Sequence, residues 1–373
     1  MPIYTLGDIC EIVSGSTPKT NVEEYWNGDI KWITPAELDE ESYIINDTAR
    51  KITKVAVEKT GISSFPKGTV LLSSRAPIGK VAIAGCEMYC NQGFKNLICK
   101  DKVYNRYLYW FLKHNTKYLN SLGRGATFKE VSKQIVSEIE INLPEMEHQK
   151  MIVEILEKLM KIIRLRKLEI KKLEKLKNAR FVELFGNPIT NTKRFETKDL
   201  KDVLLLKAGE FTAASDIFEK PTVKNKYPCY GGNGIRGYVA EYNQEGEYSL
   251  IGRQGALSGN VQYATGQFKN TEHALLVTPI IEMNSIWLNQ LLINLYLKRF
   301  QTGAAQPGLS VKNLKDMQII IVPIDVQNKY AEFVKKVNKS KFITYYHHKS
   351  IYTKPQLCCK MVIVNDFLNT KRF

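Results

Sequence analysis

From His148 to Phe185 the chain runs for 38 residues without a glycine or a proline, as HQKMIVEILEKLMKIIRLRKLEIKKLEKLKNARFVELF. Ile152, Leu156, Leu159 and Ile163 recur at three- and four-residue spacing, and Ile170 and Leu173 return near the same face, so the run predicts a helix with one apolar stripe. Glu154 with Lys158 and Glu157 with Lys161 are favourable i,i+4 pairs. FGNP (Phe185 to Pro188) ends it, since Gly186 can take positive φ and Pro188 cannot continue a helix. At 1.5 Å per residue the rod would measure roughly 57 Å, too long for the inside of one small core. Globular parts must therefore lie before and after it. An apolar stripe on a rod needs a partner helix, as in a coiled coil, and the natural candidate begins near Gln327.

The segments flanking the rod repeat each other. INLPEMEHQKMIVEILEK (Ile141 to Lys158) returns in worn form as IIIVPIDVQNKYAEFVKK (Ile319 to Lys336): an apolar strand, a proline, a short link with a glutamine, then a helix start. YTLGDICEIVSG aligns with KDLKDVLLLKAG at an offset of 194, placing Leu6 on Leu200, Asp8 on Asp202 and Gly15 on Gly209. Further on, Arg75 falls on Arg253 at an offset of 178, and Asn105 falls on Asn284 at 179. Lys133 falls on Lys312 and Pro144 on Pro323 at 179, and Gln149 on Gln327 at 178. The drift assigns about sixteen extra residues to the first copy, within TPKTNVEEYWNGDIKWITPAELDEESY. The same order of matches across several blocks marks a duplicated unit. GTVLLSS, KVAIAG, EYSLIG and HALLVTP read as strands. NRYLYWFLKHNTKYLNSL and NSIWLNQLLINLYLKRF have helical spacing. Short strands without regular βαβ alternation predict an irregular α/β unit, repeated once.

The 373 residues suit two domains and connectors. Lys and Arg number 54 against 38 acidic residues, a formal charge of +16 that favours a polyanionic partner, nucleic acid first. The rod alone holds eleven Lys and Arg against five Glu. Seven cysteines without a CxxC spacing, and no histidine near Cys86, Cys90 and Cys99, read as free thiols in a reducing cytoplasm. MPIYTLGDIC lacks the pattern of a secretory leader, and no stretch approaches the roughly 20 apolar residues of a membrane span.

The residues show no catalytic centre. A DNA methyltransferase should carry a donor-binding glycine loop and an NPPY-like turn, and FGNPIT matches the second only by accident. The EIK at Glu169 fits a nuclease motif but lies on the charged rod. RAPIGKV fails as a phosphate loop because Ser74 and Val81 stand where Gly and Ser/Thr are needed. Three readings remain: a non-catalytic DNA reader, a DNA methyltransferase or endonuclease with unrecognised motifs, and a basic scaffold that binds DNA without base preference.

LGDICEIVSGSTPK, IKWITPAEL, SSRAPIGKVAI, NQGFKNL, INLPEMEHQKMI and FVELFGNP, followed by a second round from LKDV, together resemble the specificity subunit of a type I restriction–modification system, from the N-terminus to about residue 340. The resemblance implies an α/β chain of two similar target-recognition domains joined by long helices, an antiparallel helical ruler with internal pseudo-twofold symmetry. The divisions would be 1–145 for the first domain, 146–187 for the connector, 195–324 for the second domain, 325–342 for a short or incomplete second connector, and 343–373 for an atypical tail. It implies double-stranded DNA as ligand, with a split target read half by each domain. It further implies two modification (methyltransferase) subunits and restriction (translocase/nuclease) subunits as partners. No cofactor is expected on this chain; S-adenosylmethionine, ATP and Mg are expected on those partners. The tail departs from the pattern: after Lys341, Tyr, His, Thr, Pro355 and two adjacent cysteines replace the Leu/Lys/Glu rhythm, and the helix is expected to fade there.

Base readers need side chains that reach base edges, and loops rich in Arg, Asn, Gln, Ser and Thr supply them. In the first unit these are Ser74, Arg75, Lys80, Asn91, Gln92, Arg124, Thr127 and Lys129. In the second they are Tyr230, Asn233, Arg236, Arg253, Gln254, Asn260, Asn270, Gln306, Ser310 and Lys312. Arg75 and Arg253 recur at matched positions in units that should read different sequences, which points to phosphate or structural roles for both. Asn91 has the alternative of capping a turn. Trp26, Trp32 and Trp110 read as core.

Overall fold

A computed structural model describes residues 2–75, 77–125, 129–303 and 307–358, with side chains as far as Lys341. The chain divides into two compact units, Met1–Arg164 with the stretch from Lys349, and Leu165–His348.

In unit 1 the strand Ile3–Thr5 pairs antiparallel with the exit strand Glu140–Asn142. Thr5 then caps the one-turn helix Leu6–Ile9 in a reciprocal box with Asp8, whose carboxylate accepts from the Thr5 N–H at 2.8 Å. The main sheet orders Cys10–Ser14, Lys95–Cys99, Val70–Leu72, Val81–Ala84 and Ile44–Ile45. Helix Asn105–His114 lays Tyr107, Leu108, Phe111 and Leu112 on that sheet. Unit 2 repeats the plan. Glu196–Asp199 pairs with the exit strand Gln318–Ile321, the one-turn helix Leu200–Val203 follows, and helix Ser285–Asn294 buries Trp287, Leu288, Leu291 and Leu292. Its main sheet begins in the same order, Leu204–Ala208, Ala274–Pro279, Gln244–Gly252 and Val261–Asn270, before adding the hairpin Tyr227–Gly231 and Gly234–Val239.

The extra residues of the first copy have a structural counterpart. Trp26–Ile33 forms a three-stranded sheet with Arg50–Ile52 and Tyr89–Cys90. Trp32 is buried there, Trp26 meets it edge-on at 5.1 Å, and the Arg50 guanidinium lies 3.8 Å from the Trp26 ring centre. Trp110 is half-buried against the main core.

The repeated glutamine explains the repeated exit. Gln149 is fully buried; its Oε1 accepts from the Tyr104 N–H at 2.7 Å, and its Nε2 donates to the carbonyls of Pro144 at 2.8 Å and Lys102 at 2.9 Å. Gln327 accepts from the Asn284 N–H at 2.9 Å and donates to the Val322 carbonyl at 2.7 Å. Each amide ties the end of an exit strand to the first residue before the helix on the main sheet. The register therefore sets Asn284 against Tyr104, one position from the Asn105 expected by sequence.

The connector is one helix, Met146–Phe185. In unit 1 its Ile152, Val153 and Leu156 join the core, and Glu157 accepts from Arg106 at 2.8 Å. In unit 2 Phe181 and Phe185 pack on Tyr330 of the last helix, Ile324–Cys358, with ring centres 5.5 and 5.7 Å apart. The Tyr330 hydroxyl donates to the Lys177 carbonyl at 3.2 Å, and Lys341 pairs with Glu174. The contacts rise along one helix as they fall along the other, so the two are antiparallel here. The last helix continues past Lys341, where the sequence expects fading. Residues 342–354 contain no Gly or Pro, and the moderate propensities of Tyr, His and Thr do not by themselves stop a helix.

Candidate nucleic-acid interface

Backbone hydrogen bonds build the same loop frame in both units. In unit 1 the Ser73 N–H donates to the Lys80 carbonyl (2.9 Å), Gly79 to Ser73 (2.9 Å), Ser74 to Gly93 (2.8 Å) and Val131 to Ser74 (2.9 Å), while Arg124 and Glu130 exchange two bonds at 3.0 and 2.9 Å. In unit 2 Gly252 donates to Asn260 (2.9 Å), Gly259 to Gly252 (2.7 Å), Arg253 to His273 (3.1 Å) and Leu309 to Arg253 (2.8 Å), while Thr302 and Gly308 exchange two bonds at 2.9 Å. Gly79 and Gly259 hold matching left-handed φ values of 89° and 82°, which favour glycine at this turn.

This frame corrects the sequence alignment. Ser74 is the counterpart of Arg253, and Arg75 the counterpart of Gln254, because the second loop has one more residue before its glycine. The two arginines are not equivalent, so their shared role loses its basis. The frame instead carries different side chains at equivalent places: Ser74 and Arg253, Arg75 and Gln254, Lys80 and Asn260, Gly93 and His273, Arg124 and Thr302, Glu130 and Gly308.

In unit 1 the frame gathers Ser74, Arg75, Lys80, Arg124 and Lys129. Arg124 and Lys129 are exposed. Arg75 lies 3.9 Å from Glu130, which also pairs with the buried Lys95 at 3.1 Å. Lys80 donates to the Pro35 carbonyl at 3.0 Å. Ser74 is 1% exposed and accepts from Lys95, so its hydroxyl is turned into the protein and cannot meet a base. Asn91 accepts from the Gly93 N–H at 2.9 Å, which is its turn-capping alternative, and the exposed Gln92 accepts from Thr17. Thr127 lies outside the described residues.

In unit 2 the close approach of Gly252 to Gly232, where a Cβ would meet the carbonyl oxygen at 2.2 Å, sets the hairpin tip against the frame. Asn260 consequently donates to Asn233 at 3.0 Å. Arg236 is exposed, with its aliphatic stem over Gly231. Tyr230 stands edge-on to Phe268 at 5.5 Å, and burial pushes its phenol up. Asn270 is 1% exposed and its backbone is clasped by Asn243 at 2.7 and 3.1 Å; it serves the fold and cannot reach a base. Ser310 caps the turn Val311–Leu314 by accepting from the Lys312 N–H at 3.1 Å, as Ser132 caps Lys133–Ser137 in unit 1. Lys312 is exposed, and Gln306 lies outside the described residues. Sequence reasoning missed Glu272 and His273, which enter the frame opposite the glycine of NQG. Aligning the left-handed glycines rather than the arginines would have exposed them.

Among the described residues no group of His, Cys, Asp and Glu could hold a metal ion, and no helix is long and apolar enough to cross a membrane. Two α/β units of one plan, each presenting a polar loop frame with its own side chains, define the chain as a tandem reader of the modular kind.

The comparisons give that class a family. The type I restriction modification DNA specificity domain matches residues 1–175 and again 192–347. The chain is 29% identical over 347 residues to the type I restriction enzyme EcoprrI specificity subunit of Escherichia coli, covering 89% of this chain and 86% of that one. It is 32% identical over 372 residues to the MjaIX specificity subunit of Methanocaldococcus jannaschii, covering 89% and 85%. Its fold is like the crystal structure of a type I restriction-modification system S subunit from M. genitalium, with a TM-score of 0.60, 17% identity, and 97% and 95% of the chains covered. A chain from a structural study of type I R-M complex assembly and conformational transition gives a TM-score of 0.61 at 16% identity, covering 97% of each. The chain belongs to the family of type I restriction-modification DNA specificity subunits. Members of this family recognise DNA sequence without catalysis and act in complexes with other restriction-modification subunits.

Proposed function

We propose that the chain reads a split double-stranded DNA target, each unit reading one half through its loop frame. The observation that carries this reading is the frame itself: six backbone hydrogen bonds recur in both units while the side chains they position differ. A shared scaffold with substituted side chains is what reading two different half-sequences requires. The exposed Arg124 and Lys129 of unit 1, and Arg236, Gln254 and Lys312 of unit 2, supply donors for base edges and phosphates. Arg75, Lys80, Asn91, Gln92, Tyr230, Asn233, Arg253, Asn260 and Ser310 complete the two surfaces, and Thr127 and Gln306 are assigned to the reading set from the sequence.

The 40-residue connector, about 60 Å long, acts in this reading as a ruler that fixes the spacer between half-sites. Its exposed apolar side chains, among them Met151, Ile155, Ile162 and Leu176, suit the docking of two modification subunits, with restriction subunits joining them. S-adenosylmethionine, ATP and Mg belong to those partners, and the assembly works in the cytoplasm. The test is binding of the assembled complex to DNAs altered in one half at a time, at two salt concentrations. Replacing Lys129 should affect one half only and replacing Lys312 only the other. Substitutions in unit 1 that shift both halves equally would favour an unspecific basic scaffold.

A further inference from the structure

Cys10 opens the edge strand of the main sheet in unit 1, Cys99 closes the strand beside it, and the antiparallel register sets the two directly opposite each other. They form a non-hydrogen-bonded pair: the Lys100 N–H donates to the Ile9 carbonyl at 2.9 Å, while the Cys10 N–H turns back to the Leu6 carbonyl. Side chains come closest at such pairs, where the Cα atoms stand about 4.5 Å apart. A disulfide spans roughly 4.4–6.8 Å between Cα atoms, so neither strand has to move to join them. Both side chains leave the same face of the sheet, Cys10 within the main core and Cys99 packed against it. The two sulfurs are in contact, and the hydrogen bond between them, together with burial, holds the Cys10 thiol above its ordinary range. Among the described residues no other cysteine faces a cysteine across a strand pair. At the equivalent place unit 2 sets Leu204 opposite Pro279, so the fold itself does not require thiols there.

We propose that Cys10 and Cys99 are a redox-active dithiol that a hydroperoxide converts to a cross-strand disulfide, stapling unit 1. This goes beyond the DNA-reading function and does not rest on it. Cys99 is half-buried and Cys10 buried, so Cys99 meets the oxidant first. Its thiolate attacks the peroxide, the O–O bond breaks, the departing hydroxide or alkoxide takes up a proton, and a sulfenic acid remains on Cys99. The Cys10 sulfur then attacks the sulfenic sulfur. The S–S bond forms as the S–O bond breaks, and the oxygen leaves as water with the Cys10 proton. Two thiols have then given two electrons and two protons to one peroxide. The staple lies at the end of the strand pair away from the loop frame. Ser14 and Lys95 close the other end, where Lys95 pairs with Glu130 of the frame. Oxidation therefore ties the first strand of the unit to its core and leaves the reading face as it was.

The experiment treats the reduced full chain with hydrogen peroxide, digests it without reductant and maps the peptides by mass spectrometry. A peptide pair linked through Cys10 and Cys99 should form and should disappear on adding dithiothreitol. The bridge closes a loop of about 90 residues, so the unit 1 melting transition should rise by about 10 °C while the unit 2 transition stays where it was. Cys10→Ala removes the second step, so peroxide should leave Cys99 as a sulfenic acid that dimedone labels, with no rise in the transition. Cys99→Ser should leave Cys10 unlabelled and the transition equally unmoved. The sequence preference of the assembled complex should be the same before and after oxidation of the wild type. Peroxide-treated wild type that lacks the linked pair, whether Cys99 goes on to the sulfinic acid or bridges form elsewhere, would overturn the proposal. An unchanged unit 1 transition in protein shown to carry the bridge, or an altered sequence preference, would overturn the staple.

Discussion

Replacing Gln149 tests whether the buried amide is what ties each exit strand to its unit. Gln149→Met keeps the length and volume of the side chain and removes only its polar end. Three groups lose partners: the Tyr104 N–H and the carbonyls of Pro144 and Lys102. A stranded buried group costs roughly 1–3 kcal/mol, and a net hydrogen bond about 1 kcal/mol, so the lower range for three groups gives about 3–5 kcal/mol. For a unit of this size each kcal/mol moves Tm by about 2–4 °C, so the unit 1 transition should fall by roughly 10 °C. Gln327→Met should lower the unit 2 transition by less, because two bonds are lost there instead of three. Thermal unfolding of the full chain, with hydrogen exchange across Asn105–His114 and Ser285–Asn294 to assign the transitions, measures both effects. A loss under about 1 kcal/mol in Gln149→Met, or a shift confined to unit 2, would refute the reasoning.

Three further outcomes are expected. Burial raises the Glu174 carboxyl, but hydrogen bonds from Lys177 and Lys341 and their charges bring it below its ordinary value of 4.5. Its contribution is therefore present above the unfolded value and is lost as pH falls through the folded one; Glu174→Gln should destabilise unit 2 at neutral pH, with the difference from wild type closing below about pH 4.5 in urea titrations. Inserting four residues after Lys161 adds about 6 Å of helix, close to two base pairs, and should lengthen the preferred spacer while leaving both half-sites intact, as read by selection from a DNA library. The purified chain alone should neither methylate nor cut DNA in assays with labelled donor and supercoiled plasmid.

The architecture was legible where the sequence carries period and punctuation. The long helix announced itself by its missing Gly and Pro, and the paired exits by a proline and a glutamine whose amide has the same task in both units. The recognition frame was less legible because it is held by backbone atoms. A match of arginine to arginine attracted the alignment, while the hydrogen bonds follow Gly79 and Gly259 and move the register by one. Burial was equally hidden. Ser74 and Asn270 look like loop polar residues, yet Lys95 draws the first inward and Asn243 clasps the backbone of the second. His273 escaped notice because its partner in the first copy is a glycine, so no shared letter marks the place.

The most direct measurement is to sequence the modified sites in a host carrying this chain with its partner subunits. The same is then done after the unit 2 loops around Asn233, Gln254, His273 and Lys312 are exchanged for those of a relative. The account predicts a bipartite motif in which one half changes while the other half and the spacer stay as they were. A continuous motif, or a change in both halves on exchanging one unit, would contradict it.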